Sequence, residues 1–525
     1  MAMEQLLSML PSANPVAVLA LVAVVILVAV GHLVSSWWSP HLSRRRLPPS
    51  ATSLPMIGHL HLLRPPVHHT FQELAARLGA PLMHIRLGST HCVVVSSAEV
   101  AGELIRGHEA TILGRPITAV TRQFGYDSAG FVFAPYTPRW RFMRRLCMSE
   151  LLAPRTVEQL RPVRDSGLAS LLRAALASSA RGEEVNLTRE LIRLSNTSII
   201  RMVAGDVPGS VAAEAQELVK AVAELAGAFN LEDYIAACRG WDLQGLRRSA
   251  AAVHRRFDAL LEEMIRHKEE SRERGGGAAV KPQDHKDLLD MLLDKAEDET
   301  AEVKLTRDNI KALMLDMVTA GSDSTAAVVE WMLAELMNHP EAMRKVREEI
   351  DAAVGGDRVA GEADLPRLPY LQAAFKETLR LHPAAPIAHR ESTAELVLRG
   401  FTVPAQTAVF INVWAIGRDP AFWEDPPAFR PERFMPGGAA EGLEPRGQHF
   451  QFMPFGSGRR SCPGMGLVMQ SIPAVVAALV QCFDWATGDD GGVIDMEESH
   501  GLVCARKHPL LLRPAVRLNP FPAVV

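Results

Sequence analysis

Between Leu305 and Pro340 the chain reads LTRDNIKALMLDMVTAGSDSTAAVVEWMLAELMNHP, and this stretch constrains the fold strongly. Thr306 suits an N-cap, and Asp308 sits in the first turn, where the helix dipole favours negative charge. His339-Pro340 ends the run, because proline disfavours helical backbone before it. A helix of about 32 residues spans ~48 Å, enough to cross a whole domain. In its middle lie Ala320, Gly321, Ser322, Asp323, Ser324 and Thr325. Glycine inside a helix costs up to ~1 kcal/mol against alanine. Small residues admit a bulky neighbour, and a hydroxyl can bond a carbonyl one turn back and loosen the helix. The competing reading is a solvated face with an incidental Asp-Ser pair.

The remaining pattern predicts one large, mainly α domain with a smaller β portion. Periodicity is mostly helical from about 140 to 350. PLMHIRLGSTHCVVVSS alternates on both sides of Gly88-Ser89 and reads as a β-hairpin. Short strand-like pieces such as ELVLRGFTV return after about 390. With 48% apolar residues among 525, a large core is possible. The net charge of −4 gives no general argument for nucleic-acid binding. The six cysteines are scattered with no C-x-x-C pair, which argues against a disulfide scaffold or a zinc ribbon.

The amino terminus has its own logic. PVAVLALVAVVILVAVGHLV, from Pro15 to Val34, carries no charge. Its apolar residues, 16–34, would cover about 28 Å as a helix, close to a bilayer's hydrocarbon thickness. Arg44, Arg45 and Arg46 follow, which places the rest of the chain on the cytosolic side. The expected organisation is therefore a luminal end and anchor over 1–43, a basic, proline-rich hinge over 44–58, and a cytosolic domain over 59–525. A cleaved signal peptide is disfavoured by the missing basic n-region.

Three further constellations carry chemistry. Glu377 and Arg380 in YLQAAFKETLRLHP share a helix face, and Arg433 in FRPERF could join them in a buried network. In PRWRFMRRLC, Trp140 and Arg144 face one way, and Arg141 and Arg145 another. One basic face could meet an anionic ligand, the other an acidic partner; a solvated basic helix is the bland alternative. FGSGRRSCPG places Phe455, Gly458, Arg460, Cys462 and Gly464 at F-x-x-G-x-R-x-C-x-G. Glycines let the backbone approach a flat object, Arg460 can bind an anion on it, and N–H groups around the sulfur would stabilise a thiolate. No Cys/His cluster supports zinc, and no His/Asn set marks a cysteine protease. A lone thiolate ligand fits haem, whose porphyrin fills four positions and leaves the axial ones.

The Cys loop, the E-x-x-R pair, PERF and the AG-x-D segment, in this order behind an apolar leader, resemble the microsomal plant cytochromes P450. The resemblance covers essentially the whole chain. It implies the cytochrome P450 fold behind a single N-terminal transmembrane helix, haem b with Cys462 as axial ligand, and residence in the endoplasmic reticulum membrane. By the same resemblance, Trp140, Arg144, Arg390 and Arg460 hold the haem propionates, and Phe455 belongs to the haem loop. Glu377, Arg380 and Arg433 match a structural triad. Asp323 and Ser324, followed by Thr325, match the acid–alcohol pair that delivers protons during oxygen activation; serine stands where threonine is more frequent, which leaves coupling of electrons to product in question. The chain shows no dinucleotide fingerprint of its own, so electrons are expected from NADPH through a separate cytochrome P450 reductase docking on Arg141 and Arg145.

The substrate pocket implied by the family pattern contains Phe124, Tyr126, Phe131, Phe229, Leu231, Thr319, Ala320, Ala385, Ile387 and Leu502; plain core packing is the alternative for each. AFNLEDYI, HRESTAE, INVWAIGRDPAFWEDP and GQHFQFMPFGSGRRSCPG are similar to the plant flavonoid group. That similarity implies oxidation of a flavanone such as naringenin or eriodictyol at C-2. A flavone is the expected product, with a 2-hydroxyflavanone as the alternative and aryl migration to the isoflavonoid skeleton behind both. A peroxide-rearranging relative or a noncatalytic haem protein would not need the Asp323-Ser324 pair.

Overall fold

A computed structural model describes residues 46–275, 286–298, 303–488 and 492–522, together with Ala23 and Val30, both helical. The rest of the expected anchor and the first part of the hinge thus lie outside the described residues. The first long helix, α1 (Val67–Leu78), ends at Gly79 in the left-handed conformation. The hairpin forms as read: β1 (Leu82–Leu87) pairs antiparallel with β2 (Thr90–Val95). Gly88 has φ +59°, and a Cβ there would lie 2.2 Å from the Tyr234 carbonyl oxygen, so both the turn and the close approach require glycine. Ser89 donates to that carbonyl from its backbone N at 2.8 Å and from Oγ at 2.9 Å.

The helical body follows. It contains α2 (Pro138–Leu146), α3 (Leu187–Ala204), α4 (Gly209–Gly227), α5 (Leu246–Gly275) and the long α6 (Arg307–Asn338). Thr306 caps α6 as its sequence suggests: Thr306 Oγ1 accepts from the Asn309 N–H, and the Asn309 side chain accepts from the Thr306 N–H at 3.1 Å. Then come α7 (Pro369–Leu381), β3 (Ile387–Glu391), β4 (Ala408–Asn412) and α8 (Met465–Cys482). The main sheet has the order β1-β2-β4-β3, with β2 and β4 parallel and the other pairs antiparallel.

Helix α6 organises the interior. Its first half, Ile310 to Val318, packs with α2, α3, α4 and α5 in one apolar core. Its second half, Ala326 to Leu336, packs with α7 and α8 in another. Helix α8 is long and apolar enough to cross a membrane, but more than half of it is buried inside the protein, so it reads as a core helix.

Candidate active site

Between the two cores, α6 shows a window. From Asn309 to Val318 and from Ala326 to Leu336 every residue is buried, yet Ala320 is exposed, and Thr319, Asp323, Ser324 and Thr325 are partly so. Accessible surface halfway along a core helix means that the helix borders an internal space. Hydroxyls loosen the helix here: Thr319 Oγ1 donates to the Leu315 carbonyl, Ser322 Oγ to that of Val318, and Ser324 Oγ to that of Ala320, each at 2.7 Å. The bulky neighbour that Gly321 admits is Ile199 of α3, which a Cβ there would meet at 3.1 Å. The small size of the glycine serves the close passage of α3 along α6.

Cys462 stands at the start of α8. Its N–H donates to the Phe455 carbonyl at 2.8 Å, and Sγ accepts from the N–H groups of Gly464 and Met465. Protein surrounds the sulfur on most sides, yet the residue keeps solvent-accessible surface, so the side chain also faces internal space. Burial pushes its thiol up, while the two N–H groups and the charges of Arg144 and Arg115 pull it down. A thiolate here is prepared by the helix N-terminus and by cations, but lacks a partner strong enough to offset desolvation.

Four guanidinium groups gather beside it. Burial and repulsion from neighbouring guanidinium groups lower Arg390 and Arg460 to about 9 and lower Arg115 as well, while burial alone lowers Arg144. Arg460 Nη2 donates to the Ala134 carbonyl at 2.7 Å, and Arg144 Nη2 donates to the Ser461 carbonyl at 2.7 Å. Trp140 lies between them, its ring centroid 4.5 Å from Arg460 and 5.6 Å from Arg144. Its indole N–H is committed to the Phe131 carbonyl at 2.8 Å, so the ring face, rather than the N–H, is what it offers the site. Nε of Arg115 is buried with no partner among the described residues. The carboxylate that acts on Arg115 is Asp316, itself raised to about 6 by burial despite accepting from the N–H groups of Phe131 and Val132. So many buried cations beside one sulfur call for an anionic group.

Arg115 escaped the sequence reading. It lies in GRP, a tripeptide with no periodic signal. His389 escaped it too, although it precedes Arg390 directly. Burial and the charges of Arg115 and Arg390 lower His389 to about 4, so the ring is neutral at physiological pH. Its ring packs edge-on to Phe410 at 5.2 Å, and the residue still keeps accessible surface.

The Glu377 network is fully buried. Arg380 forks onto both carboxylate oxygens at 2.7 Å, and Arg433 Nε reaches Oε1 at 3.1 Å. The remaining donors of Arg380 go to the carbonyls of Gly417, Pro426 and Ala428. The network thus ties α7 to the 417–433 loops that lead toward the Cys462 segment.

The proposed pocket residues divide. Ala320 is exposed within the α6 window; Ala385 and Ile387, at and just before the β3 strand that carries His389, keep accessible surface. Phe124 and Phe131 are 2% and 5% exposed in the core against α6, so core packing is what they do. Tyr126 donates its hydroxyl to Asp258 of α5 at 2.9 Å. Phe229 stacks on Tyr234 with centroids 5.0 Å apart, beside the half-buried Leu231. Leu502 is 42% exposed, close to Gly227 at the end of α4. Phe229 and Leu502 thus stand at exposed positions.

Residues 48–513 match the cytochrome P450 family. Cytochrome P450 93G1 of Oryza sativa subsp. japonica is 75% identical over 486 residues, 92% of each chain. The 3,9-dihydroxypterocarpan 6A-monooxygenase of Glycine max is 44% identical, over 92% of this chain and 95% of its own. A zebrafish cytochrome P450 solved with progesterone shares the fold, with TM-score 0.72 and 24% identity over 86% of this chain and all of its own. The chain belongs to the cytochrome P450 family, among the plant members of the 93 series, and is by that membership a monooxygenase. The family implies haem iron held by a cysteine thiolate. The residues fit that group at both ends: a desolvated sulfur that needs a cation, and clustered guanidinium groups that need anions.

Proposed function

We propose that the protein oxidises flavanones at C-2 and releases flavones, using electrons from NADPH delivered by a separate reductase. Haem held by Cys462 supplies the oxidising chemistry when bound. Cys462 would be its ligand, Arg115, Arg144, Arg390 and Arg460 would neutralise its carboxylates, and Trp140 and Phe455 would pack around it. The substrate reading is supported by the accessible surface kept by small apolar residues, Ala320 on α6 and Ala385 and Ile387 at β3, together with the neutral imidazole of His389. Such groups suit a flat aromatic ligand bearing a few hydroxyls. A relative from Crocosmia x crocosmiiflora, 38% identical, is named a flavonoid 3'-monooxygenase.

Protons reach the site along α6 in this reading. Burial raises the Asp323 carboxyl above its ordinary range, and its charged neighbours are Lys220 and Glu224, both exposed on α4. Asp323 thus stands between the surface and the Ser324 hydroxyl, with Thr325 next along the helix. It can take a proton from outside and pass it inward without admitting bulk water.

The outward face of α2 presents Arg141 and Arg145 to solvent, suited to an acidic reductase surface. Residues 16–34 anchor the protein to the endoplasmic reticulum membrane, 44–58 form the hinge and 59–525 the catalytic domain. The experiment is turnover of naringenin by the reductase-reconstituted, haem-loaded enzyme, with products identified by mass. A product two hydrogens lighter supports flavone formation. A product one oxygen heavier, with the oxygen located at C-2 by fragmentation, would replace it with 2-hydroxylation, oxygen found elsewhere would overturn C-2 as the site, and no conversion of any flavanone would overturn the substrate reading.

A further inference from the structure

Away from the sulfur, a cleft of about 790 Å³ opens between α1 and the loop around 495–500. His69 and Glu498 line it, and the buried His68 lies behind them: His68 Nε2 is 2.6 Å, and His69 Nε2 3.1 Å, from the same oxygen, Oε2 of Glu498. The three donor atoms fall within 4.8 Å of one another. His68 and His69 occupy the first turn of α1, and their rings meet edge to face at 4.6 Å. Glu498 is separated from His68 by 430 residues, so the cluster joins the two ends of the catalytic domain.

The geometry points to a divalent zinc site built from His68, His69 and Glu498. Two imidazoles and one carboxylate are a zinc donor set, and imidazole selects zinc over magnesium or calcium. The donors are already supported from behind. Trp414 Nε1 donates to Oε1 of Glu498 at 2.9 Å, which fixes the carboxylate and leaves Oε2 for the metal. The Asn412 side chain donates to the His68 carbonyl at 2.8 Å and holds the turn. Among the described residues, His69 Nε2 is buried and finds no well-aligned hydrogen bond, its nearest partner being Glu498 Oε2 at 3.1 Å. Its side chain as a whole is 38% exposed, and His69 and Glu498 both line the cleft, so an ion could reach the cluster from that side. On binding, zinc displaces the proton that His68 and Glu498 share, and the donors part slightly to bond lengths of about 2.0–2.2 Å. Arg418, whose guanidinium lies 3.9 Å above the Trp414 ring, opposes the added charge. The affinity expected is therefore on the order of micromolar rather than that of a closed structural site.

A second cluster, Asp495, Glu497 and His508, is exposed and serves as the control. Zinc is titrated into the haem-loaded full chain by calorimetry, with the Soret band recorded to show that each variant is folded. One equivalent should bind wild type and Asp495→Asn alike, and His69→Ala should weaken binding at least tenfold with an unchanged Soret band. Glu498→Gln, if it folds, should do the same. X-ray absorption at the zinc edge should show two imidazole nitrogens. Absence of zinc binding by wild type at tens of micromolar, or loss of binding in Asp495→Asn but not in His69→Ala, would overturn the assignment.

Discussion

At the residue scale, the site is a problem of charge. Arg115, Arg144, Arg390 and Arg460 are held in a region where burial lowers all four and Arg115 and Arg144 further lower Arg390 and Arg460, and Cys462 is a sulfur whose burial works against its anion. The account expects Arg115→Ala to fold and yet retain haem at least ~10-fold less tightly, since a buried charge-assisted partner is lost. Dialysis against apomyoglobin, followed by absorbance, measures this. Replacing Asp323 by Asn should slow product formation on the order of 100-fold, with NADPH consumption falling less than product. Cys462 was legible because glycines and an arginine at fixed offsets surround it. Arg115 and His389 were not, because a single charged or aromatic residue in a loop or short strand carries no period. Phe124 and Phe131 misled in the opposite sense: an aromatic residue type does not state whether it faces a ligand or another core residue.

The elements show where local sequence dictates shape and where packing overrides it. Thr306 and Asn309 alone settle the start of α6, and Thr306→Ala should cost about 1 kcal/mol in reversible unfolding, if unfolding is reversible. The end at Asn338, before His339-Pro340, was equally readable. The role of Gly321 was not, because it depends on Ile199 of α3, more than a hundred residues away. The same holds for Tyr126, whose φ of +47° begins a run of three left-handed residues, Tyr126, Asp127 and Ser128. Its hydroxyl bond to Asp258 fastens that turn to α5, where Lys311 of α6 reaches the same carboxylate at 2.9 Å. Tyr126→Phe should loosen the turn, seen as faster amide hydrogen exchange over 125–132 with exchange in α8 unchanged.

Across the whole molecule, long-range ion pairs join parts that sequence spacing cannot connect. Glu335 of α6 accepts from His382 at 2.7 Å and pairs with His339, which holds its carboxyl down at about 2 despite burial. A carboxyl lowered on folding contributes stability above its unfolded value of 4.5. That contribution is lost as pH falls from about 4.5 toward 2. Chemical unfolding across this window should show a steep loss of stability, shallower in Glu335→Gln. The mainly α architecture with its small sheet was visible from periodicity, but the division of α6 between two cores, which makes the window, belongs to packing alone. On the outer surface, reversing Arg141 and Arg145 together to Glu should lower reductase-supported turnover several-fold at low salt and narrow that gap at high salt. Unchanged turnover would remove α2 as the docking face.

The most direct test of the central claim is the absorption spectrum of the reduced, carbon-monoxide-bound, haem-loaded protein, recorded for wild type and for Cys462→Ser. The account predicts the strongly red-shifted Soret band of thiolate ligation in wild type and its disappearance in the variant. A wild-type band at the position of imidazole-ligated haem, or a red-shifted band that survives loss of the sulfur, would contradict it.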